Sequence, residues 1–404
     1  MRDTERRFRR RLLRHHGRQH RRLGRRPLLD GNAVELLPDG RAVVLAVMDA
    51  VAAAQDFVHM EYYTFDDVSL DGRSLFGLLR EAAGRGVEVA VSWDAVGSGG
   101  TPDAALAELE RAGVRVSEYH SVNPLRRRFN LNLNDRDHRK LTVVDGAVAI
   151  LGGVNMSRVY ETPEAVGRGS DADHAYWIDN GVRLRGPAVA EAERLFRHGW
   201  RQQRNEGPAL RGATTGSAAA AGSARVRIEG SAPHERKPLF NRTMRRAIRT
   251  ARSHVILATG YFVPARREWR LLARAARRGV RVELLVPGYS DVQGAVHAAR
   301  ALYGPLLLAG VRVAEVRQAM LHAKIATFDG VLTVVGSSNF DRRSVLYNNE
   351  IDAVVLDTGL ARQVETLLER HMAAAASVTY EEWRRRPLRE HLLEVAARLW
   401  KHLM

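Results

Sequence analysis

The sequence predicts an α/β chain built from two similar domains, and three observations carry that prediction. The pattern H-x-K-x-x-x-x-D occurs twice, as His138, Lys140 and Asp145 and again as His322, Lys324 and Asp329. Each copy is followed, 14 residues after its histidine, by a Gly/Ser-Asn turn: Gly152-Gly153-Val154-Asn155 and Gly336-Ser337-Ser338-Asn339. The flanking elements repeat in the same order, and a stretch rich in Ala, Gly, Ser and Thr separates the two sets. One such pattern arises readily by chance; two with matched downstream turns do not.

The elements follow in order. Residues 1–29 form a basic arm: up to residue 26 they hold twelve arginines against Asp3 and Glu5, a net +10 within a chain of net +17. This reads as a solvated, partly disordered tail drawn to anionic lipid, or to nucleic acid. The first domain spans 30–205. In it Gly86-Val87-Glu88-Val89 and Ala112-Gly113-Val114-Arg115-Val116 each read as a helix ended by glycine and then a buried strand. Gly279-Val280-Arg281-Val282 and Ala309-Gly310-Val311-Arg312-Val313 match them in the second domain, 225–380, after a linker at 206–224. Tyr62-Tyr63-Thr64-Phe65 is expected to correspond to Tyr261-Phe262-Val263-Pro264, and these aromatic residues to line an acyl-chain entrance or pack the core. Each motif reads as a hairpin turning at Asp145-Gly146 or Asp329-Gly330. Residues 381–404 read as an amphipathic final helix with the stripe Leu388, Leu392, Val395, Ala396, Leu399 and Leu403.

A histidine and a lysine two apart on a strand project to one face. Each half therefore presents an imidazole and an ammonium together, with an asparagine nearby. Two such sets suit a phosphodiester. Lysines and asparagines can hold the non-bridging oxygens, one neutral histidine can attack phosphorus, and the other can donate a proton to the leaving oxygen. The lysines sharpen the reading. The chain has four lysines among 63 basic residues, yet both H-x-K positions keep lysine. A compact ammonium and a planar guanidinium are not interchangeable.

These residues resemble the phospholipase D superfamily, and within it the bacterial cardiolipin synthases. The matching segments are Asn134 to Lys140, Gly152 to Asn155 with Tyr160 behind it, Val182 to Val189, Tyr261 to Pro264, Met320 to Lys324, Asn339 to Ser344 and Asn348-Asn349-Glu350, so the likeness covers about residues 30–380. It implies two similar α/β/α domains related by pseudo-twofold symmetry, with the active site at their interface. It implies that His138 is the nucleophile, forming a phosphohistidine, and that His322 is the general acid and base. Lys140, Lys324, Asn155, Asn339 and Ser337 would bind the substrate phosphate. An acidic residue after each asparagine turn would orient a histidine: Glu350 in the second half and Asp179 in the first. Asp145 and Asp329 belong to the family's motif and are counted with His138, Lys140, His322 and Lys324 in the catalytic set, although their position at Asp-Gly turns reads as structural.

The function so implied is a cardiolipin synthase-like phosphatidyltransferase that joins phosphatidylglycerol to a second phospholipid. The alternatives are a phospholipase D-type hydrolase and a phosphodiesterase acting on nucleic acid, though the charge concentrated in the arm speaks against an obligate nucleic-acid partner. No cofactor or metal is expected, because the lysines supply the positive charge; His174 beside Asp171 and Asp173 is the one arrangement suggesting a metal. The absence of cysteine excludes disulfides and thiolate metal sites. No membrane span or signal peptide is read from the sequence, so the chain resembles the shorter, span-less synthases. It is expected at the cytoplasmic face of the membrane, held peripherally by the anionic surface.

Overall fold

The computed structural model describes residues 2–23, 26–121, 134–161, 176–203, 209–212, 219–235, 238–387, 389–390 and 394. Helix α1 (Arg2–His20) comes first, then β1 (Leu29–Leu37), α2 (Gly40–Ala53), β2 (Phe57–Tyr62), α3 (Leu75–Gly84), β3 (Glu88–Asp94), α4 (Asp103–Arg111) and β4 (Arg115–Tyr119). The first motif occupies β5 (Arg136–Asp137), β6 (Lys140–Val144) and β7 (Val148–Gly152); β8 (Trp177–Ile178), β9 (Gly181–Arg185) and α5 (Ala188–Gln202) close the half. The second half repeats the plan with β10 (Ala224–Ser231), α6 (Leu239–Thr250), β11 (His254–Thr259), α7 (Arg266–Arg277), β12 (Arg281–Pro287), α8 (Gln293–Arg300), α9 (Tyr303–Leu307) and β13 (Arg312–Val316). Its motif follows in β14 (Met320–Leu321), β15 (Lys324–Phe328) and β16 (Leu332–Gly336), then α10 (Arg343–Leu346), β17 (Asn348–Leu356), α11 (Thr358–Ala374), β18 (Ala376–Val378) and α12 (Tyr380–Arg384).

All but β5, β8 and β14 run through one sheet in the order β18-β13-β12-β11-β15-β16-β17-β10-β1-β9-β7-β6-β2-β3-β4. β18 extends the second half's edge, and the first seven strands in each direction, read outward from the β10–β1 junction, repeat each other. That is the pseudo-twofold symmetry the sequence repeat implies. The glycines expected to end helices do so at equivalent places: Gly86, Gly113, Gly279 and Gly310 have φ of 85°, 93°, 88° and 88°, values that cost glycine little. Helices α5 and α11 cover one face of the sheet and join both halves in a common core that includes Phe57, Leu141, Phe196, Ile256, Ile325 and Leu368. Separate apolar layers cover the other face of each half, one around Val47, Met60 and Leu79, the other around Ile248, Leu272 and Phe328.

One expectation changes. The basic arm is a docked helix, not a free tail. Leu12, His16 and His20 share one side of α1 at i, i+4 and i+8 and are buried. The His16 imidazole lies 2.8 Å from Asp329, Arg227 donates to the His20 carbonyl at 2.8 Å, and Leu12 joins the second half's apolar layer. The arginines cover the remaining faces, so composition alone concealed the stripe. The described part of the linker lies against the first half: Ala221 N–H donates to the Gly31 carbonyl and Arg211 N–H to Glu88. The apolar stripe of the final helix and the His174 group lie outside the described residues; before the stripe, α12 buries Trp383. Among the described residues no helix is long and apolar enough to cross a membrane.

Candidate active site

The two halves do more than face each other; each donates a short strand to the other. β5 pairs in parallel with the start of β17, Arg136 opposite Asn348 and Asp137 opposite Asn349. β8 pairs in parallel with β14, Trp177 opposite Met320 and Ile178 opposite Leu321. One residue further along each ladder, His138 meets Glu350 and Asp179 meets His322. The carboxylates are therefore exchanged between halves. Glu350 lies 3.1 Å from His138 Nδ1, and Asp179 lies 2.6 Å from His322 Nδ1. An Nδ1–H donated to a carboxylate leaves Nε2 of each ring for the substrate. Each acid therefore serves the histidine of the opposite half. The pairing is a product of tertiary strand exchange and has no local signature.

The two imidazole centroids stand 6.4 Å apart. They open into a cavity of 470 Å³ lined from both halves, Asn155 and Asn339 included. The side-chain carbonyls of these asparagines are occupied: Asn155 Oδ1 accepts from Thr64 N–H at 3.2 Å and Asn339 Oδ1 from Tyr261 N–H at 3.3 Å. Their amide N–H groups are left to face an anion. Lys140 Nζ donates to the His138 carbonyl at 2.8 Å, and Lys324 Nζ to the His322 carbonyl. Ser337 does not line the cavity; its hydroxyl donates to Glu350.

Asp145 and Asp329 lie at the far ends of β6 and β15, away from the histidines. Asp145 accepts from the backbone N–H of Gln55, Asp56 and Phe57 at 3.0, 2.8 and 2.9 Å. Asp329 does the same for Arg252, Ser253 and His254 at 2.9, 2.7 and 3.0 Å. Each carboxylate thus binds the turn between a helix and the strand beside its motif hairpin. The geometry gives them no path to the reacting atoms.

The aromatic alignment shifts by two residues. The bridges Phe65–Met156 and Phe262–Phe340 are equivalent, so Tyr63 corresponds to Gly260 and Thr64 to Tyr261. Tyr63 and Tyr261 line the cavity, while Tyr62 and Phe262 are core residues. The Tyr63 ring stands 5.3 Å from His138 and 5.3 Å from Lys140 Nζ. Around His322, Trp177 fills the corresponding space at 5.1 Å. Sequence reasoning gave no role to Trp177, Arg136, Asp291, Asp341 or Arg343, which also line the cavity. Tyr160, noted only as part of a family match, donates to Asp179 at 3.0 Å. Gly40 makes room for it, since a Cβ there would fall 2.0 Å from the Tyr160 ring.

Burial dominates the electrostatics. It holds His138 well below its ordinary value, helped by Lys140 and Lys324. It also lowers His322, with Lys324 adding and Asp179 opposing. Burial pulls Lys140 down to about 7 and Lys324 to about 8. It pushes Glu350 up to about 7. Burial would raise Asp179 as well, but Lys324 and His322 outweigh it and the carboxyl sits below its usual range. One histidine is thus paired with a firmly ionised carboxylate and the other with one poised between its two forms.

Two histidines and two asparagines lining one cavity, each histidine with a buried lysine bonded to its carbonyl, define a phospholipase D-type site. The chain matches the family model described as cardiolipin synthase, PLD-like domain, over residues 47–163 and 244–372, and it belongs to that family. It is 29% identical over 392 residues to the cardiolipin synthase of Geobacillus thermodenitrificans, covering 95% of this chain and 74% of that protein. It is 32% identical over 364 residues to cardiolipin synthase A of Pseudomonas aeruginosa, covering 90% and 71%. Among solved structures, phosphatidylserine synthase from Haemophilus influenzae shares the fold at a TM-score of 0.68 and 12% identity, over 96% of this chain and 97% of that one.

Proposed function

We propose that this phospholipase D-type phosphatidyltransferase joins phosphatidylglycerol to a second phospholipid through a phosphohistidine on His138. Nε2 of neutral His138 attacks the donor's phosphorus. The bond from phosphorus to the headgroup oxygen breaks, and His322, protonated, delivers its proton to that oxygen. The acceptor hydroxyl then loses its proton to His322 as its oxygen attacks phosphorus, and the P–N bond returns its electrons to His138. Lys140, Lys324 and the amides of Asn155 and Asn339 hold the non-bridging oxygens throughout. When both lipids are phosphatidylglycerol, the products are cardiolipin and glycerol, and the balance closes without a cofactor.

The observation that carries the assignment is the unequal pairing of the histidines. Asp179, ionised and bound by Tyr160, opposes the lowering of His322 by burial and Lys324, so His322 is the histidine held closer to its ordinary value. His138, held far down and facing a half-neutral Glu350, stays an uncharged nucleophile. A peripheral position on an anionic, cytoplasmic membrane surface fits the arginines exposed along α1, among them Arg6, Arg10, Arg11 and Arg14. The test is purified protein with phosphatidylglycerol in detergent micelles. Cardiolipin and free glycerol should appear in equal amounts, and His138→Ala should make neither. Phosphatidic acid as the sole lipid product would assign hydrolysis; cleavage of a nucleic-acid diester with no lipid turnover would assign the nuclease reading.

A further inference from the structure

The framework of the site is symmetric, but the cavity walls are not. Counting from the equivalent residues Asn155 and Asn339, Asp341 stands where the first half has Ser157, and Arg343 where it has Val159. Asp341 and Arg343 line the cavity, and so does Asp291, which follows β12 and accepts from the Tyr261 hydroxyl at 2.7 Å. Charged groups therefore cluster on the wall contributed by the half that carries His322.

That wall is where the chemistry places the second substrate. The group protonated by His322 leaves on the side opposite the attack by His138, and the acceptor hydroxyl must enter along the same line. A lipid acceptor brings a second phosphodiester, which does not react. In the chemistry proposed above Lys140 and Lys324 serve the reacting phosphate, and an anion left unpaired in a buried cavity is costly. Among the described residues the Arg343 guanidinium makes no hydrogen bond or ion pair within 4 Å, whereas the other cavity arginine, Arg136, lies 3.5 Å from Asp94. A guanidinium fork suits a phosphate.

We propose that this wall is the acceptor subsite. Arg343 holds the non-reacting phosphate of the incoming anionic lipid, and Asp291 and Asp341 accept hydrogen bonds from the hydroxyls of its glycerol headgroup. Burial raises Asp341 to about 6, which limits its repulsion of the nearby phosphate. The subsite rests on the reading that the chain transfers phosphatidyl groups to a lipid acceptor.

The test is competition. One labelled phosphatidyl donor is offered two acceptors in the same micelles: unlabelled phosphatidylglycerol, which carries a phosphate, and free glycerol, which does not. Arg343→Gln should lower the preference for phosphatidylglycerol over glycerol about tenfold, the size of one charge-assisted contact. Arg343→Lys should recover most of that preference. In parallel, Asp291→Asn, at an exposed position, should lower the preference for free glycerol over ethanol about fivefold, as expected when a hydroxyl loses a charged acceptor. An unchanged ratio in both the Arg343→Lys/Gln pair and Asp291→Asn overturns the subsite alone. A wild-type protein that transfers to neither acceptor overturns the transferase reading, and the subsite with it.

Discussion

The two halves of the site share a framework and differ in the residues set on it. Sheet order, hairpin, lysine, asparagine and carboxylate recur at equivalent places in both. Yet Glu350 is held by Ser337 and Asn348, while Gly153, the equivalent of Ser337, leaves Asp179 to Tyr160. A Cβ at Gly153 would fall 2.1 Å from the Asp179 carboxylate, so the small residue is required there. The difference teaches how a duplicated site divides its labour. The repeated framework positions two identical imidazoles, and the unrepeated neighbours give them unequal surroundings, His138 being lowered further than His322.

The largest expected effect separates these two roles by the leaving group. With natural lipid, His138→Ala and His322→Ala should each lose about 10³-fold or more, the range for removing a nucleophile or a general acid. With a p-nitrophenyl phosphodiester, whose leaving oxygen needs no proton, His322→Ala should recover much of the bond-breaking step and His138→Ala none. Equal recovery in both variants would mean that the halves are interchangeable.

Next come the lysines. Lys140→Arg and Lys324→Arg should each lose about 100-fold despite keeping the charge, because each ammonium is buried and donates to its own histidine's carbonyl. Steady-state kinetics of either variant near the wild-type rate would show the preference for lysine to be incidental.

A third comparison sets α1 against the Asp145 end of the first half, which has no such helix over it among the described residues. Removing residues 1–20 exposes the partners of Leu12 and takes His16 from Asp329. We expect a loss of about 2–4 kcal/mol in urea unfolding, from one buried leucine and one buried polar pair. Unchanged stability, with weaker binding to anionic vesicles as the sole effect, would restore the free-arm reading.

The smallest effect is a pH slope. Lys140 and Lys324 have folded values of about 7 and 8, below those of the unfolded chain. Between these values and about 10.4 the unfolded state binds more protons, so both lysines make stability rise with pH. Lys140→Met should flatten that rise between pH 7 and 10. An identical slope in the variant would place the Lys140 value near that of an exposed lysine.

Much of this was legible in the chain itself. The doubled motif, its matched turns and the four helix-ending glycines announce the duplication, because each is a local pattern present twice. Asp145 and Asp329 were legible as turn residues for the same reason. The exchange of Glu350 and Asp179 was not, because it depends on two-residue strands meeting across the seam. The alignment of Tyr62 to Phe65 slipped by two residues because no motif anchors that loop. The docking of α1 was written in Leu12, His16 and His20, but twelve arginines outweighed three residues in any reading by composition.

The most direct test of unequal halves is to trap the covalent intermediate. Protein mixed with a phosphatidyl donor, quenched at alkaline pH and digested, should carry phosphorus on the peptide containing His138 when read by mass spectrometry. The His322→Ala variant, slowed in resolving the intermediate, should retain that label. Phosphorus found on His322 instead, or divided equally between the two histidines, would contradict the account.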